Sequence, residues 1–197
     1  MTWLLGYLKR TVYYALRYHN EGDLWEDCDA TLKSDGNFRL PRSTGGGITA
    51  IEGELGSHYP HGWNSGLQSA PTTCSGESET VAYAKNVKFG IRLGAMMEYT
   101  RKNRVRLICS VDNESLRIGV GHGYSPKMSG HLKSTAGASF QLLQASHVIP
   151  RHLPGSENSS DCLTKTLPAT KLLYLIRRFF GLEYAGITGT TSGFSVA

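Results

Sequence analysis

The sequence predicts an α/β fold, a mixed sheet with helices on its faces. Three observations carry this. Residues 24 to about 65 are β-prone and rich in glycine, with room for three strands. A long helical stretch follows at 77–100. After it, Val105, Leu107, Cys109 and Val111 alternate with Arg106, Ile108 and Ser110, the period of a strand.

Taken in order, residues 3–18 read as a helix carrying Leu4, Leu5, Leu8, Val12, Tyr13 and Leu16, broken by His-Asn-Glu-Gly-Asp at 19–23. Strands are expected at 24–30, 44–52 and 57–64, and a turn from Thr72 to Gly76. The strand after the long helix ends at Asp112; a short helix at 113–119 and a loop from Gly119 to Gly130 follow. Residues 131–146 read as helix and 147–152 as strand, stopped by Pro154-Gly155. A helix is expected to begin near Asn158 and a final one to span 170–181. The order is β-β-β-α-β-α-α-β-α, with no internal repeat. The Gly-, Thr- and Ser-rich end, 184–197, reads as a disordered tail.

The bulk numbers bound the class. A chain of 197 residues suffices for one domain with a core, and 40% hydrophobic with 19% charged residues excludes general disorder or a fibrous protein. No apolar run approaches a membrane span, and the apolar start is too brief for a signal peptide, with Lys9 and Arg10 on the wrong side of it. An intracellular protein with free thiols at Cys28, Cys74, Cys109 and Cys162 is expected; their spacing makes no zinc knuckle or redox pair. Residues 1–84 hold six Lys/Arg against ten Asp/Glu, and residues 85–197 hold fifteen against six. The basic half, densest from Lys85 to Arg106, suits a polyanion.

Carboxylates are scarce in that basic half, so their positions matter. Asp112 falls at a strand end and Asp161 at a helix start, while Asp27 nearly ends the first expected strand and Glu79 opens the long helix. Four carboxylates so placed can converge. Convergence without cations is unfavourable, since two unit charges at 4 Å repel by about 4 kcal/mol at an effective dielectric of 20. Oxygen-only clusters are what Mg²⁺ or Mn²⁺ require. Asp27 and Asp29 share one side of a strand, which leaves Asp29 in reserve. Glu77 and Glu79 diverge on a helix, and Glu79 heads the stripe of Ala82, Tyr83, Gly90, Leu93 and Met97 that should meet the sheet.

Six short motifs then appear in order. They are Glu26-Asp27-Cys28-Asp29-Ala30, Arg42-Ser43-Thr44-Gly45-Gly46, Trp63-Asn64-Ser65-Gly66-Leu67-Gln68, Ser75-Gly76-Glu77-Ser78-Glu79, Val111-Asp112-Asn113 and Asp161-Cys162-Leu163-Thr164-Lys165. Together they resemble the ribonuclease H domain of copia-type retrotransposon polyproteins, from about residue 3 to 182. Gly6 to Thr11 with Leu16 to His19 resembles the segment joining the reverse transcriptase to that domain. The resemblance implies a ribonuclease H-like, mixed five-stranded sheet flanked by helices over 21–183, and at 1–20 a helix from the end of a reverse transcriptase region. It maps the metal-binding, catalytic acids onto Asp27, Glu79, Asp112 and Asp161, holding two Mg²⁺ ions, with Mn²⁺ able to substitute. It implies hydrolysis of the RNA strand of RNA–DNA hybrids, leaving a 3′-hydroxyl and a 5′-phosphate. The expected partners are that hybrid and the reverse transcriptase region of a parent polyprotein, in a cytoplasmic virus-like particle or the nucleus, with no membrane.

Ser43, Thr44, Gln68 and Asn113 are candidates for contacting the hybrid, and His152 for aiding product release. His131 suits a structural role. The chain departs from the pattern where Gly66 and Leu67 replace two lysines and Thr31 replaces an aromatic residue. Those losses keep other readings open: a decayed remnant that binds nucleic acid without cutting it, a basic interaction module whose acids are caps, or another nuclease or transposase on the same fold.

Overall fold

A computed structural model describes residues 14–16, 18–69, 71–122, 130–145, 148–180 and 182–184. Its strands are β1 (Tyr14–Leu16), β2 (Asp29–Asn37), β3 (Thr44–Glu52), β4 (His58–Leu67), β5 (Leu107–Val111), β6 (Val148–His152) and β7 (Leu182–Tyr184). The helices are α1 (Ser75–Arg101), α2 (Glu114–His122), α3 (Gly130–Ala145), α4 (Asp161–Thr164) and α5 (Ala169–Phe180). The main sheet has five strands in the order β4-β3-β2-β5-β6, and β1 pairs antiparallel with β7 in a separate ribbon. Strands β2, β3 and β4 form an antiparallel meander. Strands β2, β5 and β6 run parallel, with Lys33 beside Ser110 and Ser110 beside Arg151.

Alternation along β2 divides the molecule. Ala30 and Leu32 face α1 and join Tyr83, Val87, Leu93, Met97, Leu107, Cys109 and Val111 in the main core. Burying each larger side chain there stabilises the fold by about 1.5–3 kcal/mol. On the other face Ile48 packs with Leu175, Phe179 and Phe180 of α5. Helix α1 starts where the Glu77 carboxylate accepts 2.7 Å hydrogen bonds from the Thr73 N–H and hydroxyl. It ends at Lys102, whose φ of 63° turns the chain out of the helix.

Two glycines set how closely α1 approaches the sheet. A Cβ on Gly36 would lie 2.4 Å from the Ser78 carbonyl oxygen, and one on Gly47 would lie 2.5 Å from the Asn86 side chain. Asn86 uses that space to donate to the Ser34 hydroxyl at 2.9 Å and the Gly46 carbonyl at 2.7 Å.

Several expectations need correction. The first strand of the sheet starts at Asp29 and not at residue 24, because Trp25–Asp27 make a single 3₁₀ turn. Trp25 is spent outside the core, under the Arg101 guanidinium at 4.5 Å. The same strand runs on past residue 30 to Asn37, and its polar groups find partners there: Lys33 pairs with Glu52 at 3.1 Å, and Ser34 with Asn86. The helix expected at 3–18 gives way at Tyr14–Leu16 to a strand held by pairing with Leu182–Tyr184; its residues 3–13 lie outside the described residues. Helix α2 continues to His122, where a loop was expected to begin at Gly119. Of the expected tail, only Tyr184 is described, and it closes β7.

Gly36→Ala is expected to destabilise the fold by about 1–3 kcal/mol, because the obstructing atom is backbone and cannot turn aside. Gly76→Ala, with nothing within 4 Å of the new methyl, serves as the control. Urea midpoints measure both; equal midpoints would contradict the close approach of α1.

Candidate active site

The parallel pairing of β2 with β5 brings the carboxyl ends of both strands to one edge of the sheet. Asp35 lies near the end of β2, and Asp112 follows the last residue of β5. Asp161 opens α4, which packs against β2, β3 and β4. Asp35, Asp112 and Asp161 each offer one carboxylate oxygen, and these oxygens lie within 4.8 Å of one another, close enough to hold one metal ion. Asp35 and Asp161 are buried, Asp112 half-buried.

Glu79, one turn into α1, joins them. Its carboxyl is pushed up to about 7 by burial, with the charges of Asp112 and Asp35 adding to the effect. A hydrogen bond from Asn113 and the charge of Lys165 oppose the rise. Its Oε2 is buried with no hydrogen-bond partner, an acceptor left for a cation or a proton. Burial also raises the Asp35 carboxyl, against the Thr164 hydroxyl and Lys165, which favour its charged form.

Two ammonium groups flank the cluster. Lys165 Nζ donates to Asp161 Oδ1 at 2.7 Å and to Asp35 Oδ1 at 3.2 Å, and Lys171 Nζ to Asp161 Oδ2 at 3.0 Å. Burial alone would lower Lys165, but the hydrogen bond to Asp161 and the charges of Asp35 and Asp161 hold it above its ordinary value. Asn158, fully buried, fixes the approach to α4: its Oδ1 accepts from the Ser160 N–H, and its Nδ2 donates to the Ser34 carbonyl.

The structure thus unites Glu79, Asp112 and Asp161 with Asp35, and leaves Asp27 out. Asp27 closes the 3₁₀ turn ahead of β2, beside Asp23, Arg101 and Arg104. The strand from Asp29 to Asp35 separates it from the cluster by about 20 Å, six steps of about 3.3 Å. Asp29, the reserve, is bound by Arg106 at 2.8 Å and 2.9 Å at that same far end. Glu77 caps α1, so Glu79 is the glutamate that reaches the cluster.

Asp35 escaped the sequence because it lies in a polar stretch, Lys33 to Asn37, beyond the strand expected at 24–30. The available signal was parity: Asp35 shares the strand side of Asp29, Thr31 and Lys33, away from Ala30 and Leu32.

The other candidates divide. Asn113 caps α2, accepting from the Leu116 N–H at 3.0 Å, and reaches Glu79 with its side chain. His152 is exposed at the end of β6, with Nε2 3.2 Å from the Asp112 carbonyl oxygen, at the mouth of the cluster. Thr44 opens β3 opposite Asn37, at the same end of the sheet. Ser43 and Gln68 are buried, the first bonded to the Thr72 hydroxyl and the second to Ser78; Gln68 also lines a pocket that it shares with Lys85 and Lys88. Along the basic run, Lys85 stands about 9 Å from Glu79 on the helix axis and Arg101 about 33 Å, at about 1.5 Å per residue. Arg101 instead donates to the Cys28 carbonyl at 2.7 Å.

No family model matches the sequence, and no curated protein matches it. Among solved structures the chain is similar to LC11-RNase H1, isolated from compost, with 17% identity and a TM-score of 0.51 over 69% of this chain and 92% of that one. It is similar also to the N-terminal RNase H domain of rv2228c from Mycobacterium tuberculosis, with 12% identity and a TM-score of 0.50 over 76% of this chain and 97% of that one. These likenesses show the fold: the mixed five-stranded sheet flanked by helices is that of ribonuclease H.

Glu79 gives the cluster a pH signature. Its carboxyl titrates near 4.5 when unfolded and at about 7 when folded. Its contribution to stability is therefore complete below 4.5 and is lost as pH rises through 7. Without divalent metal, the parent should lose more melting temperature than Glu79→Gln between about pH 5 and about pH 8. Parallel curves would contradict the shift.

Proposed function

We propose that this chain is a metal-dependent endonuclease that hydrolyses the RNA strand of RNA–DNA hybrids, with Asp35, Glu79, Asp112 and Asp161 as its catalytic acids. One observation carries the reading: on a ribonuclease H fold, three aspartates and one glutamate meet at the carboxyl ends of a parallel strand pair. The activity we propose serves reverse transcription of a retroelement and leaves a 3′-hydroxyl and a 5′-phosphate, a reading supported by the resemblance of the sequence to copia-type polyproteins. The partner in that setting is the reverse transcriptase region of the same polyprotein, in a cytoplasmic virus-like particle or the nucleus.

The donor set suits Mg²⁺, with Mn²⁺ as substitute. All the ligands are carboxylate oxygens, and Glu79 Oε2 is a buried acceptor without a partner. When bound, the metal supplies Lewis acidity and a nucleophilic water at neutral pH. The chain supplies the rest. Asp35, Asp112 and Asp161 hold the cation at fixed positions on a strand, a strand end and a helix start. Asn113 orients the Glu79 carboxyl, whose value of about 7 lets it take or give a proton near neutrality. Exposed His152, beside the Asp112 carbonyl, is the candidate to aid release of the cut 5′-phosphate. No side chain need act as nucleophile; alignment of the scissile phosphate against the fixed acids is the protein's main contribution. Lys85 and Lys88, exposed and nearest to Glu79 in the basic run, suit the backbone of the bound hybrid.

The test is single-turnover cleavage of a labelled hybrid in Mg²⁺. Asp35→Asn and Asp112→Asn should each lose about a thousandfold in rate, as removal of several kcal/mol of transition-state stabilisation requires. Asp27→Asn should stay within a few-fold of the parent. Loss of activity in Asp27→Asn with Asp35→Asn unaffected would refute the assignment. A parent inactive with both Mg²⁺ and Mn²⁺ would favour the decayed remnant.

A further inference from the structure

The cluster carries its own cations. Both oxygens of Asp161 are taken, one by Lys165 at 2.7 Å and one by Lys171 at 3.0 Å, and Lys165 also holds Asp35 Oδ1 at 3.2 Å. The second Asp35 oxygen accepts from the Thr164 hydroxyl. Among the described residues, no Lys or Arg forms an ion pair with Asp112 or Glu79. The balancing charge is therefore one-sided.

Lys165 is held in place by its backbone. It follows α4 directly, and its N–H donates to the Asp161 carbonyl at 2.9 Å. The residue before it is pinned twice to β2, by the Thr164 hydroxyl on Asp35 and by Asn37 Nδ2 on the Thr164 carbonyl at 3.0 Å. The Ser65 hydroxyl ties the Leu163 carbonyl to β4. A side chain launched from so fixed a turn loses little entropy in reaching the acids, unlike an ordinary surface pair. The acids it meets are buried, with side-chain exposures of 2% for Asp35 and 6% for Asp161, so the pairing is poorly screened by solvent.

We propose that Lys165 and Lys171 are built-in counter-ions that balance the Asp161 side of the cluster, so that the chain takes a single divalent ion, held where Asp35, Asp112 and Asp161 converge. Four carboxylates less two ammonium groups leave two negative charges, which one divalent cation balances. Bare of lysines, the same four acids would balance two such cations, the number that the sequence resemblance implies. This rests on the metal-site reading of the preceding section. An ammonium is a compact point charge with three donors and can replace a cation's charge, though not its Lewis acidity. Lys165 and Lys171 are thus positioning residues: they keep Asp35 and Asp161 assembled and set the metal count.

The test is Mn²⁺ binding to the full chain, with free Mn²⁺ counted by electron paramagnetic resonance. The parent should bind one ion, Asp112→Asn none at the same concentrations, and Lys165→Met a second ion. Lys171→Met, which leaves the Lys165 bridge intact, should bind its first ion as the parent does and a second more weakly than Lys165→Met. Two ions on the parent would overturn the counter-ion proposal while leaving the metal site standing; that count needs no variant to fold. One ion on a folded Lys165→Met would also overturn it. No ion on the parent or on either lysine variant would remove the metal-site reading and this proposal with it.

Discussion

Carboxylates gathered in a partly dry pocket repel one another, by about 4 kcal/mol for each pair at 4 Å and an effective dielectric of 20. The rest of this structure can be understood as what holds Asp35, Glu79, Asp112 and Asp161 together against that repulsion. The parallel register of β2 and β5 forces Asp35 and Asp112 to the same edge. The absence of a side chain at Gly36 lets α1 descend until Glu79 joins them. Asn158, Asn37 and Thr164 lock the turn that carries Asp161. Lys165 and Lys171 then balance part of the charge. Burial lifts the Glu79 carboxyl to about 7, and the charges of Asp112 and Asp35 add to that rise.

The two ends of the sheet do different work. At the carboxyl ends of the parallel pair the acids converge. At the other end arginines bond within the fold, Arg106 to the Asp29 carboxylate and Arg101 to the Cys28 carbonyl. Asp27 belongs to this second end. Ligand sites outside the carboxyl ends of parallel strands are a general outcome of α/β topology, since loops and helix starts open there. Asp112 followed by Asn113, capping α2 and reaching Glu79, is a local instance.

Much of this was legible in the residues. The alternation through Val105 to Val111 located β5, and Asp112 with it. Helix phase separated Glu79 from Glu77, and the structure gives the reason: Glu77 is consumed as a cap on Thr73. The stop at Pro154-Gly155 located β6 and the turn to Asp161. The first acid was not legible, because hydrophobic patterning cannot recognise a core strand whose polar residues are satisfied only by distant partners. Lys33 needs Glu52, Ser34 needs Asn86, and Asp35 needs Thr164 and Lys165, 129 and 130 residues away. The short Asp-x-Asp at 27–29 supplied a convincing substitute eight residues early. Ser43 and Gln68 looked like surface contacts for the same reason, since their inward partners Thr72 and Ser78 are invisible without the fold.

The most direct test of the central claim locates the metal without assaying catalysis. Fe²⁺ bound in place of Mg²⁺, with ascorbate and peroxide, generates hydroxyl radicals that cut the polypeptide nearest the ion. The account predicts backbone cuts around Asp35, Glu79, Asp112 and the turn before Asp161, suppressed by excess Mg²⁺ and absent in Asp112→Asn. Cuts confined to the far end of the sheet, around Asp23 to Asp29 and Arg104 to Arg106, or cuts with no preferred position, would contradict it.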